Sequence, residues 1–391
     1  MSPQPGLADS LERLGTETAF TVLARARQLE AEGRDVIHLE IGEPDFGTPP
    51  HICEAAFEAM RSGETGYCPS AGIPTLREAA AAYLSNSRNL EIPAERIVVG
   101  TGAKPFLFFT VLAVCNPGDE VIYPDPGFPI YESAIRFAGA TPVALPLIED
   151  RDFSFDPADL ESRLTPNTKL VILNSPENPT GGVIGAGDLE QTARLLSESG
   201  AWVLSDEVYA RIQYDGAFRS IASQDGLIDR TVLLDGLSKT YSMTGWRCGF
   251  ASVPEPLVEP LVRFFVNSTS CVPPFVQAAG VTALTGPQDA PAAMVEEFRR
   301  RRDMVVAGLN ELPGVTCRTP AGAFYAFPNV KGTGIPAAEL AERLLEEAGV
   351  AVLAGTAFGA VATDNLRLSY ASSFESLERA IERIGAFLKT A

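Results

Sequence analysis

Two cations stand close together in the segment DGLSKTYSMTGWR, residues 235–247 of an otherwise acidic chain. Lys239 follows an apolar run, and Arg247 comes after small and aromatic residues. A lysine amine is able to act as a nucleophile and to carry a proton, and a guanidinium binds anions. Both residues are also compatible with solvated loop charges, so their meaning depends on the groups around them.

Polar and charged groups follow one predicted strand after another, and in an open α/β sheet ligands bind beyond the carboxyl ends of the strands. Each group alone has a structural explanation, since Asn178 suits a turn before proline and Asp206 suits a helix cap. Their accumulation at one sheet edge favours a binding site instead. The groups are Gly102, Ala103 and Lys104 after VVGT, Phe128 after VIYPDPG, Asn178 after VILN, Asp206 and Tyr209 after WVLS, and Lys239 after TVLLDGLS.

The middle of the chain alternates short apolar runs with segments of helical periodicity. This alternation predicts an α/β fold whose large domain holds a mainly parallel, seven-stranded sheet between helices. The predicted strands are RIVVG (96–100), DEVIYP (119–124), TPVALPL (141–147), KLVILN (169–174), WVLSDE (202–207), TVLLDG (231–236) and RCGFAS (247–252).

The two ends of the chain have a different pattern, which predicts a smaller α+β domain. An amphipathic helix is predicted over 23–33, and a long charged helix begins near 288 and leads into the short strands AFYAF and NLRLSY. We therefore assign residues 1–47 to an N-terminal arm and part of the small domain. Residues 48–287 form the large cofactor-binding domain, and 288–391 form the small C-terminal domain.

Composition excludes several classes of function. The net charge of -19 argues against broad binding to nucleic acid or anionic lipid, and no run reaches the about 18 apolar residues of a membrane span. Six cysteines without a CxxC pair indicate reduced thiols, and the N-terminal segment lacks a secretory signal pattern, so a cytoplasmic protein is expected. With only two histidines and no ligand spacing, no metal site is predicted.

A dinucleotide-binding reading of GTGAKP is disfavoured. Pro105 occupies the sixth position of that fingerprint, and no acidic residue ends a second strand about 20 residues later.

The chain resembles the pyridoxal-phosphate-dependent aminotransferases of fold type I, class I/II. The likeness runs nearly end to end, and the order and spacing of the motifs are more specific than any one of them. The motifs are IGEPDFGTP, YCPSAGIPTLREA, GAK, NSPENPTG, SDEVY, SKTYSMTGWRCG, AGAFYAF and LRLSYA.

The resemblance implies roles around pyridoxal 5'-phosphate. Lys239 matches the lysine that forms the Schiff base and moves the substrate's α-proton, and Asp206 matches the carboxylate that keeps the pyridine nitrogen protonated. Asn178 and Tyr209 match residues that donate to the 3′-oxygen, with Tyr209 also counted as catalytic. Phe128 matches the aromatic side chain that stacks on the ring.

The resemblance also implies a phosphate site. The amides of Gly102, Ala103 and Lys104 open a helix toward the phosphate, Arg247 supplies a guanidinium, and Tyr67 reaches the phosphate of a neighbouring subunit. Symmetric homodimers with shared active sites are therefore expected.

Two positions depart from the family pattern at the phosphate site. Many relatives have serine where this chain has Gly236, and Ser238 is the predicted substitute. Pro105 stands where glutamine is frequent, which removes one amide donor.

The substrate's α-carboxylate needs a fixed cation, and Arg367 in NLRLSY is the implied clamp, assisted by Gly42 and Asn178. The side-chain pocket is left open. Phe20, Phe106 and Phe109 are either pocket residues or core residues on the sequence alone.

The expected activity is transfer of the amino group of an L-amino acid to a 2-oxo acid, with an aspartate, alanine or aromatic type of substrate range. The alternatives are a lyase or decarboxylase on the same fold, and a noncatalytic pyridoxal-phosphate-binding regulator.

Overall fold

The computed structural model describes residues 6–390. The strands are β1 (Ile37–His38), β2 (Ile97–Gly100), β3 (Glu120–Asp125), β4 (Thr141–Pro146), β5 (Thr168–Asn174), β6 (Trp202–Asp206), β7 (Thr231–Gly236), β8 (Gly249–Ser252), β9 (Tyr325–Ala326), β10 (Val350–Ala351), β11 (Leu353–Ala354) and β12 (Leu366–Ser369). The helices are α1 (Thr18–Ala31), α2 (Pro50–Arg61), α3 (Pro74–Arg88), α4 (Lys104–Val114), α5 (Ile130–Ala138), α6 (Pro157–Arg163), α7 (Ala186–Ser199), α8 (Leu237–Thr240), α9 (Glu255–Ser268), α10 (Pro274–Thr285), α11 (Asp289–Asn310), α12 (Ala337–Arg343) and α13 (Phe374–Leu388).

A seven-stranded sheet in the order β2-β8-β7-β6-β5-β3-β4 forms the centre of the molecule. Its pairs are parallel except those of β8, which runs antiparallel to both β2 and β7. The predicted α/β fold with a mainly parallel, seven-stranded sheet is therefore confirmed, and each of the seven predicted strands is present.

Helices cover both faces of this sheet, which explains why its strands read as continuous apolar runs. In β5, Leu170 and Ile172 pack into a core with α4, α5 and α9. The intervening Val171 and Leu173 pack into a second core with α6 and α7. Successive side chains of a strand point to opposite faces, so the four central positions of this strand, 170–173, are all apolar.

Two small sheets lie outside the large one. Strand β1 pairs in parallel with β10, with Ile37 opposite Val350, and β11-β12-β9 form an antiparallel sheet. Strands β1, β9, β10 and β12 share a core with α11 and α13. The pairing of β1 with β10 joins the N-terminal segment to the C-terminal third of the chain; domain boundaries at 47 and 287 stay a prediction.

The sheet register brings the functional strand ends together. Asn174 of β5 is opposite Asp206 of β6, and Gly236 of β7 is opposite Gly249 of β8. The loops after β5, β6 and β7 and the segment before β8 therefore open at one edge of the sheet. Among residues 6–390, no helix has the length and apolar character needed to cross a membrane.

Candidate active site

One cavity of about 500 Å³ lies at this edge of the sheet and extends to the small sheets. It collects most of the residues that the sequence singled out. Those in its wall are Gly42, Ala103, Lys104, Phe128, Asn178, Asp206, Tyr209, Ser238, Lys239, Arg247 and Arg367.

Lys239 lies in the short helix α8 that follows β7, and its amine points into the cavity. Its Nζ donates a hydrogen bond to the carbonyl oxygen of Gly42 at 2.6 Å. Desolvation lowers the pKa of Lys239 to about 8; Glu43 opposes this shift, while the nearby Arg367 and Arg247 add to it. The amine is therefore more readily deprotonated than an exposed lysine, as a nucleophile or base requires.

Asp206 ends β6 and presents a buried carboxylate to the cavity. Its Oδ2 accepts a hydrogen bond of 2.8 Å from the hydroxyl of Tyr131. Burial raises the pKa of Asp206 to about 6 although this hydrogen bond and the Val208 amide oppose the shift. A buried carboxylate in this state is stabilised by a cation, which a protonated heterocyclic nitrogen would provide.

Arg367 is a buried guanidinium, and one of its three nitrogens makes no hydrogen bond within the described residues. Its Nη1 donates to the Asn178 side-chain oxygen at 3.1 Å, and its Nη2 donates to the carbonyl oxygen of Glu40. The rings of Tyr325 and Phe358 lie 4.6 and 4.7 Å from its central carbon. Its Nε has no hydrogen-bond partner among the described residues, so the group retains capacity for an anionic ligand.

Two buried tyrosines contribute phenol groups close to this arginine. The hydroxyl oxygens of Tyr209 and Tyr325 are 2.8 Å apart. Burial raises the pKa of both phenols, so they remain neutral hydrogen-bond donors. A Cβ added at Gly42 would lie 1.9 Å from the Tyr325 hydroxyl, which explains why this position requires glycine.

Arg247 lies against the turn between β2 and α4. Its guanidinium donates to the carbonyl oxygens of Thr244 at 3.0 Å and Thr101 at 3.3 Å. Gly102 has φ +89°, and a Cβ there would lie 2.2 Å from Arg247 Nη2. Gly102 is thus outside the cavity wall but in contact with the cation in it, and Ser238 lies in the same wall.

The side chain of Lys104 forms an ion pair with Glu17, the residue before α1. Its Nζ is also 5.4 Å from the ring centre of Phe128 and 5.9 Å from that of Phe20. Glu17 and Phe20 both line the cavity. The ammonium is therefore held by a carboxylate and two aromatic faces.

Of the three phenylalanines left open as pocket or core residues, only Phe20 lines the cavity. Phe106 is fully buried with its ring 4.9 Å from Phe265, and Phe109 stacks on Phe264 at 5.1 Å. A pocket role for Phe106 and Phe109 is therefore wrong. They lie three residues apart on α4 and both face α9, so they belong to the core between these helices.

Tyr67 lies apart from the other predicted residues. It is 93% exposed and does not line the cavity. Its assignment to a neighbouring subunit's phosphate site stays a prediction.

Sequence reasoning missed several side chains of the site, among them Tyr131, Tyr325 and Glu17. Tyr131 had a signal, since it lies three residues after Phe128 at the start of α5, and the two rings are 5.9 Å apart. Tyr325 was read only as part of a short strand. Glu17 had no signal, because it is an isolated acidic residue at the start of a helix.

Comparison with known proteins places the chain in a family. The model for aminotransferase class I and II matches residues 34–384. The chain is 38% identical to the aspartate aminotransferase of Geobacillus stearothermophilus, over 98% of this chain and 99% of that protein. It is 39% identical to aromatic-amino-acid aminotransferase 2 of Thermococcus litoralis, over 98% of each. The solved aspartate aminotransferase from Rhizobium meliloti has a TM-score of 0.93 at 38% identity and 99% coverage of each chain. The chain therefore belongs to the class I and II aminotransferases.

Proposed function

We propose that the protein uses pyridoxal 5'-phosphate to move the amino group of an L-amino acid to a 2-oxo acid, within an aspartate, alanine or aromatic range of substrates. The observation that carries the proposal is the cavity that Lys239, Asp206, Arg247 and Arg367 share. Each of these groups has a separate task in such a reaction, and none duplicates another.

The residues present fit the cofactor. Asp206, whose pKa burial raises to about 6, calls for a cationic partner such as a protonated pyridine nitrogen. The missing Cβ of Gly102 lets the Arg247 guanidinium lie against the turn that opens α4, which suits a phosphate bound by the amides of that turn and the guanidinium. Lys239 would be the point of covalent attachment.

The remaining contacts to the cofactor are assigned by the resemblance. Phe128 would lie against its ring, Asn178 and Tyr209 would donate to its 3′-oxygen, and Ala103, Lys104 and Ser238 would complete the phosphate site with their backbone or hydroxyl groups. When bound, the cofactor supplies an electron sink for the bonding electrons of the substrate's α-carbon.

The chain's own residues then control binding and proton transfer. Arg367 would hold the α-carboxylate through its free Nε, with the Gly42 backbone and Asn178 beside it. Lys239, whose pKa desolvation lowers to about 8, is able both to accept and to return a proton near neutral pH. Its Nζ would therefore take the proton from the substrate's α-carbon.

We further propose a cytoplasmic homodimer with shared active sites. The exposure of Tyr67 supports it, because a residue that is 93% exposed is available to a neighbouring subunit. All six cysteines are free thiols, which fits a reducing compartment.

A product assay tests the reaction. The holoenzyme is incubated with an amino acid and a 2-oxo acid, either pyruvate or 2-oxoglutarate, and all products are quantified. We expect one new amino acid for each new 2-oxo acid. Release of ammonia or carbon dioxide without an acceptor would instead identify a lyase or a decarboxylase.

A further inference from the structure

Four cations line the cavity, and three of them have a task in the proposed reaction: Lys239, Arg247 and Arg367. Lys104 is the one whose side chain has no assigned role. Because the α-carboxylate takes Arg367, a second carboxylate on a substrate would need Lys104. Among the described residues of the cavity wall, Lys104 is therefore the remaining cation that could meet a second carboxylate.

Lys104 is not available in the observed structure. Its ammonium is paired with Glu17, and the Glu17 side chain, 17% exposed, is less exposed than that of Lys104. The rings of Phe20 and Phe128 also lie within cation–π distance of the same ammonium. All of these contacts stabilise the Lys104 ammonium in its observed position.

Glu17 is held in place by the fold. It immediately precedes α1, and its carbonyl oxygen accepts the Phe20 amide at 3.3 Å. A distal carboxylate that approached Lys104 would have to displace this glutamate, whose negative charge would stay in the same cavity wall. A neutral side chain would instead meet the apolar surface of Ala19, Phe20 and Ile41.

We propose that Glu17 is a specificity-determining residue: by pairing with Lys104 it makes the site favour monocarboxylic amino acids with neutral side chains over dicarboxylic ones. The inference rests on the proposed function, because it takes Arg367 as the α-carboxylate site. It narrows the proposed substrate range, and it assigns the discrimination between monocarboxylic and dicarboxylic amino acids to the ion pair of Glu17 with Lys104.

Equilibrium binding tests the inference without turnover. Succinate and butanoate have the same number of carbons and differ by one carboxylate, and their binding to the holoenzyme is measured by calorimetry. The Glu17→Gln variant keeps the size of the side chain and frees Lys104. We expect its affinity for succinate to rise about tenfold, the order of effect of one charge-assisted hydrogen bond, while butanoate binding is unchanged.

Two further variants separate the ion pair from simple charge. Glu43 also lines the cavity, but its carboxylate accepts a hydrogen bond from Thr244 and forms no ion pair with Lys104, so Glu43→Gln should give no selective gain for succinate. Adding Lys104→Met to Glu17→Gln should abolish the gain. The inference is overturned if Glu17→Gln leaves the succinate-to-butanoate ratio unchanged, or if Glu43→Gln raises it equally.

Kinetic measurements distinguish a failure of this inference from a failure of the proposed aminotransferase function. In single-turnover reactions the wild type should convert leucine or phenylalanine with about tenfold higher kcat/KM than aspartate, and Glu17→Gln should reduce this preference. A wild type that prefers aspartate overturns the inference and leaves transamination intact. A wild type that converts no amino acid, yet shows the predicted shift in binding, contradicts the proposed function alone.

Discussion

Lys239 illustrates how the site sets the state of a single residue. Its amine is partly buried in the cavity, where its ammonium form is poorly solvated, and Arg247 and Arg367 add positive charge nearby. The protein therefore holds a lysine whose charged form is less stable in the folded than in the unfolded state. Such a lysine lowers stability wherever it is protonated.

This reasoning predicts a pH-dependent effect of Lys239→Met in the cofactor-free protein. Desolvation lowers the pKa of Lys239 from 10.5 to about 8, so below pH 8 the folded wild type carries the full cost of the buried charge. The variant should be more stable there by about 3 kcal/mol. The difference should decline between pH 8 and 10.5, where the folded wild type is already neutral. Denaturant unfolding at several pH values measures it.

The control for this effect is an exposed lysine. Lys389 is exposed and forms no ion pair among residues 6–390, so Lys389→Met should change the free energy of unfolding by the same amount between pH 6 and pH 10. A stability difference for Lys239→Met that does not vary with pH would contradict the argument from desolvation.

At the scale of elements, the turn from β2 into α4 decides how a phosphate would be held. Gly102 has φ +89°, a conformation that glycine adopts more readily than other residues, and its missing Cβ leaves the space that Arg247 occupies. The turn thus places the amides at the start of α4 next to a guanidinium. Both features together suit an anion better than either alone.

Gly102→Ala should therefore weaken cofactor binding. The added Cβ would lie 2.2 Å from Arg247 Nη2 and must displace the guanidinium. We expect the affinity for pyridoxal 5'-phosphate to fall about tenfold, equivalent to one charge-assisted contact, while pyridoxal without the phosphate binds as before. Absorbance titrations of the cofactor-free protein measure both.

Gly33 provides a matched control for the cost of placing an alanine at a positive φ angle. Its φ of +88° is almost the same, but a Cβ there would meet nothing within 4 Å. Gly33→Ala should reduce stability without changing cofactor affinity. An equal loss of pyridoxal affinity in Gly102→Ala would show that the turn itself, not the phosphate contact, had been damaged.

The elements also show which parts of the site sequence can predict. The strands of the large sheet were predictable because both of their faces are buried, and polar groups at their ends stand out from the apolar runs. The sequence could not assign Phe106 to the core or to the pocket, because an apolar residue on a helix gives the same pattern in both cases. Glu17 was not predictable, since its ion pair with Lys104 joins positions 87 residues apart.

At the scale of the whole molecule, one predicted site residue lies apart from the cavity of its own chain. Tyr67 is 93% exposed and lies outside the cavity that holds Lys239. If the active unit is a dimer with shared sites, each site combines Lys239 of one subunit with Tyr67 of the other. Defects in these two residues should then complement each other.

Mixed dimers of Lys239→Ala and Tyr67→Ala subunits test this arrangement. Each mixed dimer would contain one site with both defects and one site with neither. Random exchange of equal amounts makes half of the dimers mixed, so the mixture should recover about a quarter of wild-type activity. Lys239→Ala mixed with Arg367→Ala is the control, since these two side chains line one cavity of the same chain and no intact site can form. Activity of the first mixture that equals the average of its two parents would contradict shared sites.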